Sequence, residues 1–190
     1  TADGFTIDVV DRTEAYIEDR ITSKVQYPFF SQVILEKGYK ILPREAAHYQ
    51  VKEDDTGRLV DVTAIPCVLP DSDESVAMIY YVSNDSGYIV SSVEYLKEED
   101  YDIAHVLDKE ALSMMAASGV SGLEGLEAQD LEDASTRFWN CVVKRFTVGC
   151  LGCAVKCYLT GPAWASCTSS CCAGGFIVAV VSCAFAVWGW

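Results

Sequence analysis

The most regular pattern in the chain is a series of apolar segments separated by polar turns between residues 47 and 96. Four segments there are rich in β-branched and aromatic residues, and the turn compositions DDTG, PDSDE and NDSG separate them. These segments are 47–52, 58–69, 75–83 and 87–96. Connections this short cannot cross over to a parallel neighbour, so the pattern predicts an antiparallel β-meander.

Helical patterns flank the meander on both sides. The predicted helices cover 7–21, 28–37 and 97–117. The first has an apolar face of Ile7, Val10, Ile17 and Ile21, and the third has one of Ile103, Val106, Leu107, Leu112 and Met115. The second has Pro28 in its first turn and Gly38 as its stop. Together with the meander these helices predict an α+β fold, with a small helical module to follow.

A change of composition separates the two ends of the chain. Residues 118–137, SGVSGLEGLEAQDLEDASTR, are rich in Gly, Ser and acids and poor in large apolar residues, which is typical of a linker. Part of the segment, LEGLEAQDLEDAS, also reads at helical spacing, so a solvated helix is the alternative. We therefore expect an acidic domain at 1–117, a linker at 118–137 and a C-terminal peptide at 138–190.

Charge divides the chain at nearly the same place. Residues 1–140 hold 28 acidic and 11 basic residues, a formal charge of −17, whereas residues 141–190 hold three basic residues and no acidic one, a formal charge of +3. The negative charge argues against nucleic acid as a partner, because that binding depends on cationic groups. The acids serve either to keep the protein soluble or to attract a basic partner.

The cysteines are concentrated in the C-terminal peptide. Cys150, Cys153 and Cys157 are spaced i, i+3, i+7, and Cys167 and Cys171 are spaced i, i+4, so each set forms a stripe on one helix face. The sequence LTGPAWAS between the stripes contains Gly and Pro and breaks the helix. We therefore expect two helices joined by disulfides in an oxidising, extracellular compartment. The predicted disulfide cysteines are Cys141, Cys150, Cys153, Cys157, Cys167, Cys171, Cys172 and Cys183, and their pairing stays open.

A metal site is the competing interpretation of the same block, because C-x2-C-x3-C resembles a zinc or iron–sulfur ligand run. The block contains no histidine and an even number of cysteines, which favours disulfides. We predict no metal and no cofactor. The ninth cysteine, Cys67, lies in a predicted strand and is expected to be a buried thiol.

The last 20 residues, CCAGGFIVAVVSCAFAVWGW, carry no charge. Their length is sufficient for a membrane anchor, but the Gly pair and Cys183 favour a third apolar helix that packs on the first two or enters a membrane. The residues expected to contact a membrane or a partner are Trp164, Phe176, Ile177, Val178, Phe185, Trp188 and Trp190.

These features resemble the precursors of cysteine-rich halocin-type bacteriocins. The resemblance rests on CLGCAVKC, on CTSSCCAGGFIVAVVSC and on the acidic α+β segment before them. It implies secretion, release of a killing peptide that acts on membranes, and an immunity-like acidic domain that shields it. The candidate partners are then the chain's own N-terminal domain and a lipid membrane.

Two further expectations complete the sequence-based account. No catalytic motif is present, and the two histidines, His48 and His105, are expected to be structural, so we predict that the protein is not an enzyme. The alternative function is an extracellular subunit that assembles with neighbouring copies into a filament or surface layer, with disulfides stabilising it and with the apolar tail covered by the next copy.

Overall fold

A seven-stranded antiparallel sheet lies between two layers of helices in the computed structural model, which describes residues 4–97, 103–118, 128–145, 153–170 and 175–189. The strands are β1 (Phe5–Val9), β2 (Lys40–Ile41), β3 (Ala47–Glu53), β4 (Leu59–Leu69), β5 (Ser72–Asn84), β6 (Gly87–Leu96) and β7 (Ile103–Val106). The helices are α1 (Glu14–Ile17), α2 (Tyr27–Glu36), α3 (Asp108–Ala117), α4 (Ala128–Lys144), α5 (Cys153–Thr160), α6 (Trp164–Ser170) and α7 (Gly175–Trp188). A π-helical turn (Glu18–Thr22) continues α1, and a 3-10 turn (Pro43–Glu45) precedes β3.

The strand order is β1-β3-β4-β5-β6-β7, with β2 paired to the end of β4. The meander predicted from the apolar segments and their short turns, β3 to β6, is confirmed, and its register pairs Val51 with Val60 and Val62 with Val82. Because side chains alternate between faces, this register separates two apolar surfaces on the sheet. The α+β class is therefore confirmed.

Each sheet face has its own hydrophobic core. One face packs against α1, α2 and α3, and this core includes Ile21, Phe30, Ile34, Ile79 and Met115. The other face packs against the four C-terminal helices. The cysteine-rich module therefore forms one of the three layers of the molecule, and the sheet lies in the middle.

Helix α2 lies within one residue of its predicted bounds, 28–37. Pro28 lies in its first turn, and Gly38, just past its end, has a φ of +90° that a residue with a Cβ rarely adopts. Its buried side chains Phe30, Val33 and Ile34 face the sheet.

The first predicted helix is wrong in its N-terminal half. Residues Phe5–Val9 form β1, which pairs with β3, and the helix begins only at Glu14, where the Thr13 side chain accepts a hydrogen bond from the Tyr16 amide at 3.4 Å. Phe5 and Ile7 alternate onto the C-terminal helix side of the sheet. The pairing partner is more than 40 residues away, so local spacing did not reveal it.

The third predicted helix begins later than expected. Residues Ile103–Val106 form β7 beside β6, and α3 covers only Asp108–Ala117. Leu107, Leu112 and Met115 are buried as predicted, whereas Val106 is exposed.

The predicted linker is helical over its second half. Residues 128–137 belong to α4, where Ala134, Phe138 and Val142 are buried at spacings of four residues. The helical alternative is therefore correct from residue 128 onward, and residues 119–127 lie outside the described part of the chain. The predicted start of the peptide at residue 138 falls inside α4.

Candidate functional site

The interface between the sheet and the C-terminal helices is an apolar contact that joins the two halves of the chain. On the sheet side it is formed by alternate residues of β3 to β6, and on the other side by one face of each helix. The sheet contributes Tyr49, Val51, Val60, Val62, Val76, Met78, Tyr80, Val82, Val93 and Tyr95. The helices contribute Phe138, Val142, Val155, Trp164, Ile177, Val180, Val181 and Ala184.

Helix α7 provides the most apolar part of this interface. Ile177, Val180, Val181 and Ala184 follow the i, i+3, i+4, i+7 spacing of one helix face, and each is at most 2% exposed. The helix contains no acidic or basic residue. An apolar helix of this kind needs a cover in water, and here the chain's own sheet supplies it.

The C-terminal half of α7 contacts the edge of the sheet through aromatic rings. The Phe185 ring stacks on Phe5, with centroids 6.5 Å apart, and the Arg58 guanidinium lies 3.9 Å from the Phe185 ring centroid. The Trp188 ring lies 5.0 Å from Phe138 of α4. Phe185 thus combines an apolar contact with a cation–π contact.

Helices α5 and α6 form a hairpin that docks through polar as well as apolar groups. The chain turns at Gly161, whose φ is +130°, and the Cys157–Cys167 disulfide joins the two helices. The Trp164 indole donates to the Glu45 carbonyl at 3.0 Å, and the Tyr49 hydroxyl donates to the Ala165 carbonyl at 3.1 Å. These bonds fix the hairpin at the start of β3.

The disulfides confirm part of the predicted set. Cys141 of α4 is bonded to Cys183 of α7, and Cys157 is bonded to Cys167. Both pairings join helices, and Cys157–Cys167 joins the two predicted cysteine stripes. Both agree with an oxidising, extracellular compartment. The side chains of Cys150, Cys153, Cys171 and Cys172 lie outside the described residues. Cys67 is a buried free thiol in β4, and burial raises its pKa to about 12.

The residues predicted to contact a membrane or a partner divide into three groups. Trp164 and Ile177 are buried against the sheet, whereas Val178, Phe185 and Trp188 are partly buried at its margin. The side chains of Phe176 and Trp190 lie outside the described residues. Among the helices that the structure describes, none is long and apolar enough to cross a membrane.

A buried polar cluster at this interface was not found from the sequence. The carboxylate of Asp108, at the start of α3, accepts hydrogen bonds from the Ser91 hydroxyl and the Ser92 amide of β6, at 2.9 and 3.0 Å. From α4 it accepts hydrogen bonds from the Ser135 hydroxyl at 2.8 Å and the Trp139 indole at 2.9 Å. An Asp before an apolar helix is typical of a helix start, and nothing in the local sequence indicates its partners.

The histidines occupy two different environments. His48 is buried in β3, with Nδ1 2.9 Å from the Thr63 hydroxyl, and burial, followed by the charge of Arg12, lowers its pKa to about 4. His105 is exposed on β7. In the described part of the chain no group of three or more His, Cys, Asp or Glu side chains is placed to hold a metal ion. That the protein is not an enzyme stays a prediction.

Comparisons with known proteins identify no relative. No protein-family model, no curated protein and no solved structure matches this chain. The function is therefore argued from the interface itself.

Proposed function

We propose that the chain is a secreted, bacteriocin-like precursor in which the sheet covers a disulfide-linked helical unit that acts on membranes. The observation that carries the proposal is the packing of α7, a helix without charge, on a sheet face of the acidic part of the chain. The apolar face that contacts the sheet is the face that a membrane would receive after release.

The resemblance to halocin-type precursors adds the biological context. In that family the acidic domain is held to protect against the peptide that follows it, and in this chain the acidic domain provides the surface that buries the peptide. The cover blocks the apolar face for as long as the two parts stay together.

The disulfide and α4 together define the unit that is released. Helix α4 is continuous through residue 138, and Cys141 in it is bonded to Cys183 in α7. A cut between these two cysteines leaves the pieces covalently joined. We therefore propose a unit that contains α4 to α7 whole and begins between Ala117 and Ala128, earlier than residue 138.

Apolar contacts, rather than charge, are expected to hold the unit on the sheet. Each fully buried Val, Ile or Phe contributes about 1.5–3 kcal/mol, and the helices bury several such side chains. Lys156 and Arg145, by contrast, are exposed, and charges in water contribute little to such a contact.

The test is to place a protease recognition sequence between α3 and α4 of the oxidised chain and to cut it. We expect residues 128–190 to stay bound to the acidic domain in 500 mM salt, because apolar association does not depend on ionic strength. The charge variant Lys156→Gln is expected to change the retained fraction by less than about twofold. Size-exclusion chromatography of the cut protein measures both.

Separation of the cut pieces by salt alone would contradict the proposed cover. The same outcome would favour an electrostatic contact and leave α7 available for another partner. Separation of the cut pieces in the Lys156→Gln variant would likewise indicate an electrostatic contact.

The filament hypothesis rests on the need for a neighbouring copy to cover the tail. Among the described residues, α7 already has a cover within its own chain. The structure therefore gives the apolar tail no separate reason to recruit a second copy, and we rank this alternative second.

A further inference from the structure

The cluster around Asp108 is a buried polar contact within a mainly apolar interface. Asp108 is 4% exposed, and its carboxylate receives two donors from β6 and two from α4. The α4 donors, Ser135 and Trp139, belong to the first helix of the C-terminal unit. The cluster therefore joins α4 to the sheet and α3 at a single carboxyl group.

Among the described residues, no cationic side chain pairs with the buried carboxyl group. The described ionisable side chains on the elements around it are Glu94, Tyr88 and Tyr95 on β6, His105 on β7, Lys109 and Glu110 on α3, and Asp133, Arg137 and Lys144 on α4. Of these, Glu94 accepts a hydrogen bond from Tyr39 and pairs with Lys37, and Tyr95 pairs with Tyr80. His105, Lys109, Glu110, Asp133, Arg137 and Lys144 are exposed.

Two opposing effects act on the charge of Asp108. Burial disfavours the carboxylate, whereas its four hydrogen bonds and its place at the start of α3 favour it. Burial is the larger effect, and the pKa of Asp108 is raised above its ordinary value of 3.8. The hydrogen bonds from Ser92, Ser135, Ser91 and Trp139 offset only part of that rise.

The hydrogen-bond geometry accommodates the protonated form as well. A protonated carboxyl group needs one acceptor, and the hydroxyl groups of Ser91 and Ser135, at 2.9 and 2.8 Å, can rotate to accept. The Ser92 amide and the Trp139 indole continue to donate to the remaining lone pairs. Protonation thus removes the buried charge while the carboxyl group keeps its hydrogen-bond partners.

We propose that Asp108 is a pH-sensitive latch that holds α4 on the sheet more tightly when its carboxyl group is protonated than when it is charged. On this proposal, undocking of α4 exposes the carboxyl group that Ser135 and Trp139 cover, and its pKa falls toward the ordinary value because burial is the larger effect. A group whose pKa is higher in the docked state contributes stability below its undocked pKa and loses it as the pH rises through the docked pKa. The latch is therefore tightest in acid and loosens toward neutral pH. The inference concerns the docking of α4 and stands whether or not the unit is a released peptide.

Hydrogen exchange of the full, oxidised chain tests the latch between pH 4 and pH 8. After correction for intrinsic exchange rates, the protection of α4 is expected to fall as the pH rises, relative to that of α2 on the opposite sheet face. The fall is about tenfold for each unit by which the docked pKa exceeds the undocked one.

Variants distinguish the titration of Asp108 from that of the other acidic residues. The Asn side chain in Asp108→Asn cannot titrate, so the protection of α4 in this variant should not fall as the pH rises. Glu110→Gln, an exposed change on the same helix, should leave the fall in α4 protection unchanged. Ser135→Ala removes one donor to the carboxylate, so the fall in α4 protection should become larger and extend to higher pH. A purely structural role for Ser135 would lower the protection equally at every pH.

The latch is wrong if the α4 protection of the parent chain stays level or increases with pH relative to α2. It is also wrong if Asp108→Asn keeps the parental slope. If Asp108→Asn does not fold, the parent chain and Ser135→Ala decide, because a Ser135→Ala slope equal to that of the parent overturns the proposal.

Discussion

Val181→Asp is expected to separate the C-terminal unit from the sheet once the chain is cut between α3 and α4. Val181 is 0% exposed in the middle of α7, so the new carboxylate would be buried without a partner. A loss of apolar burial combined with a buried charge costs on the order of 4–5 kcal/mol. The measurements are the fraction of residues 128–190 retained on the acidic domain and, for the uncut chain, the free energy of unfolding in urea.

Ala186→Asp is the matched control, because residue 186 is exposed on the same helix. It adds the same charge five residues away and should change the free energy of unfolding by less than about 0.5 kcal/mol. Phe185→Asp is a less decisive change, since Arg58 lies over the Phe185 ring and would pair with the new carboxylate. Equal effects of Val181→Asp and Ala186→Asp would show that α7 is not held on the sheet by this face.

The second large effect is expected from the disulfide between α4 and α7. Replacement of Cys141 and Cys183 by Ala opens a link between residues 42 apart in the chain, and loop-closure entropy predicts a loss of about 4 kcal/mol. The Cys157–Cys167 link closes only 10 residues, so its removal should cost about 3 kcal/mol. Urea unfolding of the oxidised double variants measures both values.

A cut in the chain also shows whether the Cys141–Cys183 bond is present. Without Cys141–Cys183, a cut within 146–149, which precedes every later cysteine of the C-terminal unit, should release two separate pieces under denaturing, non-reducing conditions, whereas the parent chain should keep them joined. A parent chain that separates under these conditions does not contain this bond.

The sequence predicts well those elements whose partners are close to them in the chain. Strands β3 to β6 follow from β-branched and aromatic segments with short turns between them, because each strand pairs with its immediate neighbour in the chain. Helices α5 and α6 follow from the cysteine stripes and the Gly161–Pro162 break for the same reason. These signals need no knowledge of distant residues.

The elements and contacts that the sequence does not predict have partners far away in the chain, or a composition that is typical of a linker. Strand β1 pairs with residues 49–53, a partner that its own sequence does not indicate. The sequence places residues 128–137 in a linker because 118–137 as a whole is rich in Gly, Ser and acids, although Ala134 and Phe138 already form a helical stripe. The contacts of Asp108 with Ser135 and Trp139 join three elements, and no local pattern predicts such a contact.

The candidate site was predicted in its parts but not in its arrangement. The apolar residues of α7 were recognised, and a cover by the acidic domain was one of two alternatives for them. Which sheet face covers them depends on the register of four strands, in which Val62 lies beside Val82 and Tyr80 beside Ser91. That register places one set of alternate apolar side chains of β3 to β6 on the face that receives the C-terminal helices and the other set on the face that receives α1, α2 and α3.

The most direct test of a covered, membrane-active unit is dye release from lipid vesicles of mixed zwitterionic and anionic composition. Three samples are compared at equal micromolar concentration: the intact oxidised chain, the cut chain with its pieces still bound, and residues 128–190 separated from the acidic domain. We predict rapid release by the separated unit, little release by the other two samples, and suppression when the acidic domain is added back. A separated unit that stays oxidised and helical yet releases no dye, or an intact chain that releases as much dye as the separated unit, would contradict the account.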